Sequence, residues 1–181
     1  MTTEKVVSTS PTSTFITATS TGCPTNLPTN YQAPHLIVPV NKSSPSTKYG
    51  TVFNGEVSSE ISTLFNFDIP SSYSGLECSL IFAFPTIAQL QTSSFTLSGP
   101  GTVDIDLLST AITIETSYAS APEAETDYGS FTFTPGHAYT IASFACPAGE
   151  AVSFGMESVG GTNFEFFEDF NPCPIGLYIT A

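Results

Sequence analysis

The sequence predicts an all-β protein: an antiparallel, jelly-roll-like β-sandwich behind an extended Ser/Thr-rich N-terminal arm. Three observations predict it. From about residue 34 onward, apolar side chains recur with period two in short segments. Turn-forming residues separate those segments at roughly the 8–12-residue spacing of sandwich strands. The 15 Phe and absence of Trp among 181 residues supply a core of phenylalanine packed between sheets.

The arm spans residues 1–33. From Ser8 to Thr21, ten of fourteen residues are Ser or Thr, too little apolar surface to offset the entropy of ordering, so this stretch reads as an extended linker. Pro24, Pro28 and Pro34 prolong the extended character. The body then spans residues 34–181. The stretch 56–65 has a turn or two of helical character, but Phe65, Phe67 and Ile69 alternate as a strand. Leu76, Cys78, Leu80, Phe82 and Phe84 share one face of a strand that Pro85 ends. Val103, Ile105 and Leu107 repeat the pattern with Asp104 and Asp106 opposite. Ile112 with Ile114, Phe131 with Phe133, and Tyr139 with Ile141 follow it. So do Val152, Phe154 and Met156, and finally Ile175, Leu177 and Ile179. Pro70-Ser71-Ser72, Ser98-Gly99-Pro100-Gly101, Pro135-Gly136, Pro147-Ala148-Gly149 and Gly160-Gly161 mark turns between them.

Charge narrows the partners. Sixteen acidic residues face three lysines and no arginine, for a net charge of −13. Such a surface repels phosphate backbones and anionic lipid, which excludes nucleic acid and acidic membranes as partners. No apolar run approaches the roughly 20 residues of a membrane-spanning helix. The mean hydropathy of +0.15 excludes a chain disordered throughout.

Met1-Thr2-Thr3-Glu4-Lys5 lacks the basic start and apolar stretch of a signal peptide. That leaves either a cytosolic chain or one whose signal has been removed. Cys23, Cys78, Cys146 and Cys173 are even in number and widely spaced, with no C-x-x-C pair. They predict two disulfides, in any of three connectivities, and hence a secreted or cell-surface protein. Asn41-Lys42-Ser43 is an N-glycosylation sequon.

The parts for catalysis are few. His35 opens an apolar strand, His137 sits in a turn, and no G-x-S-x-G elbow exists. No catalytic residues are assigned, and the chain is expected not to be an enzyme. Carboxylates are the abundant functional group: Asp104 and Asp106 share a strand face, while Glu165, Glu168 and Asp169 cluster near Asn171. Their bland role is a solvated rim that discourages edge-to-edge pairing. The sharper role is cation binding. No cofactor is otherwise expected, but calcium is the candidate ion, with Glu168, Asp169, Asp104 and Asp106 as ligands. Tyr31, Tyr49, Tyr73, Tyr118 and Tyr128 are expected to be exposed aromatics in or beside turns, where such rings cap turns or contact a glycan or protein. Glu165, Glu168, Asp169, Tyr118 and Tyr128 are therefore the candidate binding residues.

Several segments form a recognisable set. They are His35-Leu36-Ile37-Val38-Pro39-Val40, Tyr49-Gly50-Thr51 with Phe53-Asn54-Gly55, and Phe65-Asn66-Phe67-Asp68-Ile69-Pro70. Next come Cys78-Ser79-Leu80-Ile81-Phe82 and Pro135-Gly136 with Ala145-Cys146-Pro147-Ala148-Gly149. The most specific is the run from Asp169 through Asn171-Pro172-Cys173-Pro174 to Ile179. Together they resemble the fungal But-two C-terminal domain family, named for a protein described as binding an activating enzyme of a ubiquitin-like modifier. The resemblance implies a fungal, secreted or surface-anchored β-rich domain, and it supplies no catalytic residues. It also implies that Cys78 and Cys146 form a recurrent pair, leaving Cys23 with Cys173 as an added one. The expected function is that of a secreted, cell-surface or cell-wall-associated binding or structural protein. Its partner would be a wall glycan or a surface protein. The alternatives are a cytosolic adaptor for a ubiquitin-like activating enzyme, or an enzyme or lectin acting on wall carbohydrate.

Overall fold

The structure, a computed structural model, describes residues 22–181, so the Ser/Thr-rich stretch 8–21 lies outside the described residues. The described residues form twelve strands. These are β1 (Tyr31–Gln32), β2 (Leu36–Asn41), β3 (Asn54–Val57), β4 (Ile61–Asp68), β5 (Glu77–Phe84) and β6 (Phe95–Ser98). They continue as β7 (Thr102–Leu108), β8 (Ala124–Thr132), β9 (His137–Ala145), β10 (Ala151–Ser158), β11 (Asn163–Phe167) and β12 (Gly176–Thr180). The helical content of these residues is three single 3₁₀ turns, at Ser71–Tyr73, Ile87–Gln89 and Tyr118–Ser120. All pairings are antiparallel, in sheets ordered β1-β12-β5-β9, β2-β4-β10-β7-β8 and β3-β11-β6. The first sheet begins at Tyr31, within the segment read from the sequence as the arm.

Period two explains the packing. On β11, Phe164 and Phe166 are buried while Asn163, Glu165 and Phe167 are exposed. On β5, Cys78, Leu80, Phe82 and Phe84 all point inward. The inner faces of the three sheets share one core. Phe82 lies at its centre, its ring stacked 4.2 Å from Phe133 and edge-on to Phe166 at 5.3 Å. Burying one such ring contributes about 1.5–3 kcal/mol, and each well-oriented pair adds about 0.5–1.5 kcal/mol. The phenylalanine core expected from composition is therefore what joins the sheets.

Two disulfides close as the resemblance implied: Cys78 pairs with Cys146, and Cys23 with Cys173. The first joins β5 to the turn after β9. The second fastens the N-terminal segment to the loop before β12.

Three local expectations are corrected. Residues 56–65 contain no helix; they form β3 and β4, with Ser58 Oγ accepting from the amides of Glu60 and Ile61 in the connecting turn. Ile112 and Ile114 do not form a strand. Thr113 and Thr116 close a turn on each other, and the Ile112 amide donates to Ser153 Oγ at 3.0 Å on β10. That anchor places Ile112 over the outer face of the five-stranded sheet with Val38, Val40, Leu64 and Leu108, and leaves Ile114 exposed. Tyr73 is buried rather than exposed, its hydroxyl accepting from Gln32 Nε2 at 3.1 Å, and so ties β1 to the body.

Candidate functional site

The acidic residues grouped by sequence separate in space according to strand phase. Glu165 lies on the outer face of β11, where Asn54 Nδ2 donates to its carboxylate at 2.6 Å. It faces Glu56 across the sheet, and burial together with this like charge raises the Glu56 pKa. Glu168 continues the inward phase of Phe164 and Phe166. Asp169 is buried: its Oδ1 accepts from the amide and side chain of Asn171 at 2.9 and 2.7 Å, and its Oδ2 from Thr92. Asp169 therefore shapes the loop that Cys173 closes and does not present its oxygens to solvent.

Asp104 and Asp106 share an outer face of β7, as expected. Asp104 accepts from Ser130 at 2.6 Å and sits opposite Glu157, while Asp106 sits opposite Asp127. Burial, then Asp127, Glu157 and Asp104, raise the Asp106 pKa. Among the described residues no group of three or more His, Cys, Asp or Glu side chains is placed to hold a metal ion. Tyr118 is exposed on its 3₁₀ turn; Tyr128 is half-buried on β8, 6.4 Å from Phe154. His35 contacts Asp68 at the surface, and His137 approaches the Thr134 carbonyl at 3.2 Å. Asn41 ends β2 and its side chain accepts from the Ser43 amide at 2.8 Å.

Glu168 stands at one wall of a cleft of about 240 Å³ formed by three backbone segments. The connection from β1 into β2 contributes Pro34, His35 and Ile37. The extended chain before β3 contributes Thr51, Val52 and Phe53. The chain after β11 contributes Glu168 and Phe170, and Tyr178 of β12 also lines the cleft. Backbone pairing fixes the frame: Val52 N donates to Ile37 O at 2.8 Å, and Glu168 N to Phe53 O at 3.0 Å. Asp169 and Ile175 exchange both backbone bonds, which turns the chain back into β12.

The polar groups of the cleft are satisfied, with one exception. Thr51 Oγ1 accepts from Ile37 N at 3.2 Å, His35 faces Asp68, and the Tyr178 hydroxyl donates to Ile175 O at 2.9 Å. Glu168 Oε2 accepts from Leu177 N at 3.2 Å, but Oε1 is buried without a hydrogen-bond partner. Burial holds the Glu168 carboxyl well above its usual pKa; the Leu177 amide and Tyr178 hydroxyl oppose that shift, and Asp169 reinforces it. An orphaned acceptor of this kind costs about 1–3 kcal/mol. At the mouth, Phe53 and Phe170 are 75% and 57% exposed, which is unusual for such large apolar groups. Phe53 lies 6.2 Å from the ring of exposed Phe167.

A second depression, of about 320 Å³, lies between β8 and β10 and includes Glu125, Tyr128, Phe144 and Glu150. It holds no buried polar group without a partner. Of the five candidate binding residues, only Glu168 lines the cleft described above, and Phe53, Phe170 and Tyr178 were not singled out from the sequence. The period-two phase from Phe164 through Phe166 to Glu168 was the available signal for the inward carboxyl.

The sequence model of a family described as ubiquitin 3 binding protein But2 C-terminal domain matches residues 32–172. That is well over half of the chain, which therefore belongs to this family. The match includes every cleft residue named above except Tyr178. No curated protein matches the chain.

Proposed function

We propose that this But2-domain protein works by binding, without turnover, as a secreted or surface-associated protein of an oxidising compartment. The cleft over Glu168 is its recognition site. The observation that carries the reading is the combination in one place of a preformed apolar cleft and the exposed aromatic rings of Phe53 and Phe170. Recognition sites are typically apolar concavities with few unsatisfied polar groups, and aromatic anchors dominate their energetics. The two disulfides support the compartment. The partners in view are a surface protein or a wall glycan.

A fragment library screened by amide chemical shift on the whole chain tests the site. Perturbations centred on residues 33–37, 51–53 and 168–170 support it. A binding surface mapped entirely elsewhere overturns it.

The family description favours a second reading, an adaptor in a ubiquitin-like pathway. Intact mass after alkylation of the protein taken from its host separates the two. Four oxidised cysteines support the first reading, and four alkylated thiols support the second.

A further inference from the structure

We propose that the outer edge of β9 is a docking surface for the chain's own N-terminal arm: residues 13–21 add to it as an antiparallel strand, and one of the adjacent Phe15 and Ile16 covers the apolar depression beside Phe144. The proposal does not depend on the cleft over Glu168.

The first observation is the edge itself. Among the described residues no strand pairs with the far side of β9. It runs for nine residues without an acid, a lysine, a proline or a glycine. The other edges carry the usual protection against added strands: β8 has Glu125 and Asp127, β2 has Pro39, and β1, β3 and β6 are two to four residues long. β9 alone is long and bare.

The second is where the arm enters. Cys23 is bonded to Cys173 ahead of β12. Gly22 O accepts from Gln89 Nε2 at 2.9 Å, and Gln89 Oε1 accepts from Thr86 N at 2.8 Å. Phe84 O, just before them, accepts from Gly136 N at 2.7 Å, where β9 begins. From Cys23 back to Gly22 the chain thus crosses the end of the sheet from β12, past β5, toward β9. An extended chain leading into Gly22 from beyond that edge runs antiparallel to β9, as every other neighbour in the sheet does.

The third is the match in sequence. Residues 13–21 equal β9 in length, carry no charge, and include Thr14-Phe15-Ile16-Thr17, which favours strand. With Gly22 opposite Gly136 or His137, Phe15 falls opposite Ser143 or Phe144. In the second register Phe15 shares the face of Phe144, and in the first Ile16 does. Either side chain meets the depression of about 320 Å³ lined by Leu107, Tyr128, Phe144 and Val152. Pro11 stops the addition. A second copy would bring −13 against −13, whereas the tethered, uncharged segment meets no such repulsion.

The test is amide hydrogen exchange and nuclear Overhauser contacts on the whole chain at two protein concentrations, with Ile16→Pro/Thr17→Pro alongside. One of two adjacent strand residues directs its N–H at the neighbouring strand, so the double proline removes a ladder bond in either register. The β9 amides directed away from β5 are expected to exchange at least tenfold more slowly than in the variant, equally at both concentrations. Amides of β4 and β10 should be unchanged, which shows the body folded. Contacts from Phe15 or Ile16 to Phe144 or Tyr128 are expected in the unaltered chain and need no variant. Free exchange of those β9 amides in the unaltered chain, or protection that survives the double proline, overturns the proposal. Protection that grows with concentration gives the edge to a second copy and overturns it as well.

Discussion

The Glu168 carboxylate occupies the space that a side chain at Gly176 would need. A Cβ on Gly176 would collide with both carboxylate oxygens, and the Gly176 backbone lies at φ +121°, a region that favours glycine. The buried acid and the glycine opposite it form one packing unit at the back of the cleft. Gly176→Ala should therefore destabilise the protein by about 2 kcal/mol or more through strain and collision together. Glu168→Ala in the same chain should recover the collision part and leave the backbone part. A double-mutant cycle in urea measures the coupling, and additive effects would disprove it.

Stability should depend on pH through the same residue. The native Glu168 carboxyl titrates well above the usual value of 4.5. Between those two pH values the native chain holds a proton that the unfolded chain has released. Its contribution is thus fully present below about pH 4.5 and is lost as pH rises toward the native pKa, by up to about 1.4 kcal/mol per pH unit. Urea midpoints of wild type and Glu168→Gln, measured from pH 4 to pH 8, should diverge with rising pH. Parallel curves would contradict the assignment.

Phe82 touches Phe84, Phe133, Phe164 and Phe166. Phe82→Ala should cost about 3–5 kcal/mol, and Phe82→Leu distinctly less, because the larger replacement leaves a smaller cavity. Chemical denaturation of the two variants gives the comparison.

The disulfides span 150 and 68 residues. In the chain-entropy view such loops differ by under about 1 kcal/mol, so removal of either bond should cost about 2–5 kcal/mol. Cys23→Ser/Cys173→Ser should also loosen the cleft, because Cys173 closes the loop between Phe170 and β12. Amide exchange at residues 168–178 should rise in that variant and stay unchanged in Cys78→Ser/Cys146→Ser.

Asp106 is crowded by Asp127, Glu157 and Asp104 on an exposed sheet face. Asp106→Asn should stabilise the protein at neutral pH by a few tenths of a kcal/mol, and the gain should shrink with salt. Melting at low and high salt reads this directly. A calcium titration of both proteins tests the ion reading for Asp104 and Asp106, which predicts a rise in Tm that the substitution abolishes.

Local pattern determined much of this protein. Alternation along Cys78–Phe84, Val103–Leu107 and Phe164–Phe166 reports which face of a strand is apolar, and that is a property of neighbouring residues alone. It was enough for the fold class, the turns and the aromatic core. Tertiary structure decided the rest. Ile112 and Ile114 alternate like a strand, yet a hydrogen bond to Ser153, distant in sequence, sets them in a loop over the sheet. Glu165, Glu168 and Asp169 are neighbours in sequence, and adjacency made them one acidic group. Strand phase and the pairing of Asp169 with Ile175 sent the first outward and enclosed the other two. The cleft joins residues from the β1–β2 connection, the segment before β3, and both ends of the loop that Cys173 closes. No local pattern encodes that meeting, because it arises only when separated segments pair through their backbones around one buried carboxyl.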